Sequence, residues 1–525
     1  NLIGSTNNYM GAVSGMVQGG AAVVPGFGWR LQGTLKRAGN TKAPGYYLGN
    51  TGFAEQNFSG GVAYKKERFG VEVYGSRFHT KLGILRAAHI GNLTDLYAAI
   101  ARPQPADTAE FTYEIGRPYQ NVTHHLVKTK AYWKPENRGK LELQYAWQQN
   151  IRDEFDVHKP TEGAALHLDI ATHTTDQVWE HQPFLNLSGS VGVSYMYQFN
   201  RYEGRYFIPF FRSHTLGVFW LEKWRKDNLQ LEAGVRFDSK NLEIIKREKE
   251  DIIRPNYQFT NFSGTVGAAY DWGYHVTLSG NATSAWRAPS ANELFSDGVH
   301  HGAATFEKGN PELVSEKAYN TEVTLQYHSN RRLNGEISVY QNYINDFINL
   351  VPVLPATLTI RGAFPTYKYQ QTDAVFRGVD LSWSFAFTDK LLLESKSSLV
   401  RARDRKRNEY LLQIPADRTD NTLRYSFGNE AKKFRNMYVA LGGLFVAKQT
   451  HLPEGDSLDY APAPDGYFLL HAEAGATLML GQQPVQLGLT GTNLLNNSYR
   501  DYLNRFRYYA DEAGRMLTLR ATVVF

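Results

Sequence analysis

Alternation of apolar and polar residues with a period of two, returning along the chain, constrains this sequence more than any other feature. From Asn228 to Phe237, Leu229, Leu231, Ala233, Val235 and Phe237 alternate with Asn228, Gln230, Glu232, Gly234 and Arg236. Side chains that switch faces at every residue belong to an extended strand with one greasy and one polar side. Lys140 to Trp147 repeats the pattern, with Leu141, Leu143, Tyr145 and Trp147 against Lys140, Glu142, Gln144 and Ala146. Glu322 to His328 and Leu333 to Tyr340 show it again, and the intervening SNRR reads as a tight antiparallel turn. At the C-terminus Leu517, Leu519, Ala521, Val523 and the terminal Phe525 oppose Met516, Thr518, Arg520, Thr522 and Val524.

Half-polar strands repeated over 525 residues do not suit a soluble β-sandwich, which rarely reaches that length as one domain. They suit a membrane barrel. No stretch approaches the roughly 18 consecutive apolar residues of a spanning helix, so any crossing is made by strands. The 32 Tyr, 29 Phe and 9 Trp alongside a mean hydropathy of -0.44 fit a wall with one face in lipid and one in water. The net charge of +6 is spread thinly over the chain and does not mark a nucleic-acid binder. There is no cysteine, and Asn1 to Gly15 has no secretory-signal pattern.

Transmembrane strands take about 9 to 11 residues, and connections of similar average length give roughly two dozen strands. Twenty-two fit. The expected fold is an all-β, 22-stranded antiparallel transmembrane barrel over residues 1–525. Gly91–Tyr119, Gly204–Ser213, Glu293–Ala318, Leu350–Thr372 and Leu452–Gly466 are rich in Pro, Gly, Asp, Asn and aromatics without a settled period, and read as long extracellular loops. Thr94–Ala101 is expected to form a short helix on one of them. Ligand contacts are expected on this side.

Glu293, Asp297, His300 and His301 gather carboxylates and imidazoles that suit a borderline metal such as zinc, with His300 and His301 as its candidate ligands. Spacing alone closes no tetrahedron, and adjacent histidines in an extended segment point apart. His124–His125, His79 with His89, and His167 with Asp169 and His173 are weaker groups, the last read as lumen-facing. Arg201, Glu203, Arg205 and Arg212 stand among Tyr202, Tyr206, Phe207, Phe210 and Phe211, a composition suited to an aromatic anionic chelate or porphyrin, or to an interfacial aromatic girdle. No GxSxG elbow, P-loop or HExxH occurs, and Asp153 and Glu154 face opposite ways on a strand. An enzyme is not expected, and no cofactor is implied.

Trp286–Ser290, WRAPS, resembles the FRAP strand-end motif of TonB-dependent outer-membrane receptors, and Asn292, Glu293 and Leu294 match its NEL continuation. Gly309–Lys317, GNPELVSEK, resembles the family's GNPxLKPEK segment, with Val314 and Ser315 replacing Lys and Pro. Gly491–Tyr499, GTNLLNNSY, resembles the penultimate-strand motif NLxxxxY, and Thr372–Asp380, TDAVFRGVD, a strand common in these receptors. Tyr502–Phe525 looks like the last extracellular loop and closing strand. The resemblance implies a 22-stranded barrel around an N-terminal plug, and uptake energised through the TonB–ExbB–ExbD complex. The signal, TonB box and plug are expected to lie outside the given chain. Outer-membrane lipids and a surface lipoprotein are the other expected partners. DGVHHG followed by FEKGNPEL resembles receptors for zinc or haem, which makes Glu293, Asp297, His300, His301 and Glu307 the expected ligand contacts. Arg205, Arg212 and Tyr206 are the alternative set for an organic chelate. A passive pore or a ligand-binding surface barrel is the alternative function.

Overall fold

The computed structural model describes residues 1–157, 163–329, 332–428, 433–455 and 458–525. Among them 22 strands pair antiparallel in chain order, and the sheet closes where Leu2–Ser5 pairs with the final strand, Met516–Val523. Closure leaves no backbone edge unpaired in hydrocarbon. Three further short strands, Asp251–Ile253, Asp297–His300 and Thr305–Lys308, lie outside the ring on its connections.

The apolar set of each wall strand faces outward. Leu517, Leu519 and Val523 are 39%, 57% and 43% exposed, so they line no dry interior and the sandwich reading fails. On the strand Leu229–Glu248, Leu231 and Val235 share this outer face. Arg236, on the lumen side, places its Nε 2.9 and 2.8 Å from the two Asp238 oxygens.

The two rims differ. Both chain termini lie at one rim, where connections such as 66–68, 227–228 and 481–482 are short. The SNRR turn belongs to this rim, but its residues 330–331 lie outside the described residues. At the opposite, extracellular rim, connections 84–118, 288–315, 447–466 and 493–515 are long. The expected helix is there, as Leu93–Ala101, with the Asn92 side chain accepting from Asp95 N.

Two expectations change. Leu350–Thr372 is not an irregular loop but the top of a tall hairpin formed by Leu333–Thr359 and Gly362–Ala386. Register shifts at Ile344/Phe347 and Val353/Thr357 break the alternation there, and the edge is braced by a parallel partner, with Phe306 opposite Thr366. The group His167, Asp169 and His173 faces outward rather than into the lumen. His173 pairs across the sheet with Trp147 and Tyr197 and hydrogen-bonds the Tyr145 hydroxyl at 2.9 Å. The parity assumed from sequence was off by one face.

Candidate functional site

The extracellular connections interlock into a collar with a core of its own. Ala88 and Leu96 from connection 84–118, Tyr367 from the tall hairpin, Tyr460 from 447–466, and Tyr508 and Tyr509 from 493–515 are buried together. Tyr367 and Tyr508 share a hydroxyl–hydroxyl bond of 2.7 Å. The Tyr508 hydroxyl also donates to Asp459, which pairs with the buried Arg507. Each fully buried aromatic is worth about 1.5–3 kcal/mol, so these loops form a packed layer.

The WRAPSANEL segment builds the collar's foot. Where the strand Val276–Arg287 ends, Ser290 caps the helix Ala291–Phe295 through a capping box with Glu293. Arg287 Nη1 lies 2.8 Å from both Glu293 oxygens, and its Nε lies 2.8 Å from Glu316 at the head of the next strand. The GNP turn folds back on the helix through Asn310 N to Glu293 O at 2.8 Å. A Cβ at Gly309 would come within 2.5 Å of Phe295 N, which explains the glycine. Glu293 therefore clamps the loop rather than facing an open pocket.

Beyond the helix the histidines diverge. His301 is buried, and its Nδ1 shares a 2.9 Å hydrogen bond with His89 Nε2, the rings stacked at 5.1 Å. Its Nε2 lies 3.4 Å from Asp156, which also takes Arg361 Nε at 2.8 Å. Burial pushes the His301 imidazole below its ordinary value, against the opposing pull of Asp156. His300 Nδ1 lies 2.9 Å from Glu307 Oε1, and Arg505 Nη1 approaches the same oxygen at 3.4 Å. Burial works to raise the Glu307 carboxyl, but His300 and Arg505 outweigh it and hold it below the usual carboxylate range. Among the described residues no group of three or more His, Cys, Asp or Glu is disposed to hold a metal ion. His300 and His301 reach different partners, as adjacent residues in an extended segment do.

The basic–aromatic set also divides. Arg205 is buried between Glu154 and the Val299 carbonyl, and Glu154 is also held by Arg152 and by Gln120 Nε2 at 3.0 Å. Tyr206 donates to Phe295 O at 2.7 Å, and burial pushes its hydroxyl well above the ordinary value. Arg212 stands on the outer face of Phe210–Lys226, opposite Phe199 and Glu243, away from Arg205. Asp297 is exposed, on the edge of the cluster. His89, singled out only weakly by sequence, belongs to the centre. Asp156, Arg361 and Arg505 gave no sequence signal, since their partners lie far away in the chain, and Glu154, weighed there only beside Asp153, takes its buried partner Arg205 from 51 residues away.

A family model described as "TonB dependent receptor-like, beta-barrel" matches residues 88–494. The chain belongs to the TonB-dependent receptor family. An iron-regulated outer membrane virulence protein of Vibrio cholerae is 24% identical over 274 residues, which cover 51% of this chain and 40% of that protein. The heme/hemopexin utilization protein C of Haemophilus influenzae is 27% identical over 241 residues, covering 41% and 32%. These matches thus take in less than half the length of either relative. Among solved structures, the copper transporter OprC superposes on 100% of this chain and 79% of its own, with a TM-score of 0.79 at 16% identity, which shows a shared fold. The receptor is an outer-membrane barrel.

Proposed function

We propose that the receptor captures a scarce metal-bearing nutrient, a metal ion, haem or metal chelate, at its collar and passes it inward by TonB-dependent transport. The observation that carries this reading is the division between the two histidines. The His300 side chain is 28% exposed beside Glu307 and Arg505, while His301 is 2% exposed and locked to His89 and Asp156. His300 and Arg505 form the cargo-facing group, with the buried Glu307 beneath them on the same face of the short hairpin and the exposed Asp297 on its other face. Glu293, His301, Arg205 and Tyr206 hold that group in place from behind, and Arg212 lies outside it. An N-terminal plug region engaging TonB–ExbB–ExbD supplies the release step, and a surface lipoprotein is a candidate for delivering cargo to the rim. Family membership and relatives named for iron regulation and heme use support the reading.

The test uses cells carrying the full-length receptor, with haem, zinc and a ferric chelate as separate probes. One of them accumulates only when TonB is intact. His300→Ala lowers its binding by at least about tenfold, equal to about 1.4 kcal/mol, with the barrel assembled. Uptake that persists without TonB would establish a passive pore, and unchanged binding of all three probes would remove His300 from the site.

A further inference from the structure

The tall hairpin crosses the mouth of the barrel. Its strands, Leu333–Thr359 and Gly362–Ala386, are the fifteenth and sixteenth of the ring, and its tip lands on the connection that follows the seventh, Lys140–Phe155. There Arg361 Nε lies 2.8 Å from Asp156, Ala363 N donates to Ile90 O at 2.8 Å, and the Phe364 ring meets His89 and His301 edge-on. Thr305–Lys308 lies parallel along one edge with Asp297–His300 beyond it, so the top of the hairpin belongs to a four-stranded roof.

One rung of this roof is not made by the backbone. Val353 and Thr366 are register partners, yet Thr366 N donates to the Tyr460 hydroxyl at 2.8 Å, and that hydroxyl donates to Val353 O at 2.5 Å. A side-chain oxygen from connection 447–466 thus stands between a donor and an acceptor that an antiparallel ladder would join directly. The insertion sits at a register shift. The first strand advances four residues, from Val353 to Thr357, while the second advances two, from Thr366 to Phe364, and the extra length bends the hairpin at that point. Tyr460 is buried, its N donates to Asp459 Oδ1 at 2.7 Å, and Asp459 is held in turn by Arg507 and Tyr508. Arg507 also reaches the Pro462 carbonyl at 3.4 Å.

A tyrosine that only braced two backbone groups would orphan both on leaving. This one would not. With the hydroxyl withdrawn, Thr366 N meets Val353 O, each group keeps a partner, and the phenol oxygen gains water. Two arrangements of the same strands are then fully bonded, as a switching element requires.

We propose that Tyr460 is a removable rung, and that its connection is an arm that sets the roof in one of two positions. Docked, the hydroxyl holds the strands apart and the bent tip rests on Asp156. Undocked, Val353 and Thr366 bond directly, the hairpin straightens, and the tip leaves the far wall and uncovers the mouth. Arg507 is the clasp that keeps the arm docked. The device does not depend on the identity of the cargo.

The test is hydrogen exchange on the full-length receptor in lipid vesicles, comparing wild type with Tyr460→Phe and, by a separate route, Arg507→Gln. Each variant undocks the arm, so exchange in 458–466 rises by at least about fivefold, the effect of losing one hydrogen-bonded anchor. Exchange in the hairpin at 350–353 and 364–368 stays within about twofold of wild type, because the direct rung replaces the lost one. Spin labels at Ile360 and Glu203, both exposed, follow the tip. About seven residues at about 3.3 Å each separate it from the rung, and straightening lengthens the distance between the labels by at least about 5 Å. Heat-modifiable migration confirms that the barrel is assembled in each variant. Exchange that rises in the hairpin together with the arm would make Tyr460 a fixed strut and overturn the proposal, as would unchanged exchange in both regions or an unchanged distance between the labels.

Discussion

The wall and the collar of this receptor follow opposite rules of burial. In the wall, Leu519 and Val235 face outward, 57% and 58% exposed, because hydrocarbon is their solvent, while Arg236 and Asp238 meet on the lumen side. In the collar, Tyr367, Tyr508 and Tyr509 turn inward as in a water-soluble protein, and buried charges are neutralised in pairs. The wall is held by ladder hydrogen bonds that tolerate much sequence change. The collar is held by particular side chains drawn from connections far apart in the chain. A single substitution should therefore damage the collar locally and leave the ring closed, whereas the wall should respond mainly to which face is altered.

The largest effect is expected where a buried charge loses its partner. Glu154→Ala leaves Arg152 and Arg205 without their shared carboxylate and costs about 3–5 kcal/mol of collar stability. Hydrogen exchange should rise in 84–118 and 296–308 while the wall strands stay protected, and a uniform rise would erase the distinction between the regions. Next comes the lipid face. Leu519→Lys should cost about 2–4 kcal/mol near the bilayer midplane, while the neighbouring lumen change Thr518→Lys stays within about 0.5 kcal/mol, both read from urea unfolding in vesicles. Equal costs would mean that the two faces share one environment. Smaller still, Tyr508→Phe removes the hydroxyl joining Tyr367 to Asp459 and should cost about 1–3 kcal/mol, seen as faster exchange in 493–515 alone.

The same division decides what could be read from sequence. A period of two survives wherever one face meets lipid, so Leu229 to Phe237 and the closing strand were legible as wall, while length bounded the strand number only at roughly two dozen and the family resemblance implied 22. The helix Leu93–Ala101 was visible for the same local reason. Parity fails where the outer face rises above the hydrocarbon and turns polar, which is why His167 and His173 were placed on the wrong side. Arg212 was grouped with Arg205 because proximity in sequence does not reveal that a strand begins at Phe210 between them. The tall hairpin was hidden by its register shifts. His301 could be singled out as a candidate, yet its partners His89 and Asp156 stand 212 and 145 residues away, and no local pattern encodes such a meeting. Motifs such as WRAPSANEL are legible because they are local, and their local task is to clamp the foot of the loop.

The orientation of the wall carries everything else, and the chain has no cysteine, so single cysteines report on it without interference. Spin labels placed in turn from Leu141 to Trp147 in the membrane-embedded receptor, read by the effect of dissolved oxygen on their relaxation, test it directly. Oxygen accessibility should peak at Leu141, Leu143, Tyr145 and Trp147 and fall at Glu142, Gln144 and Ala146. Peaks at the second set, or a profile without alternation, would contradict a lipid-facing apolar wall.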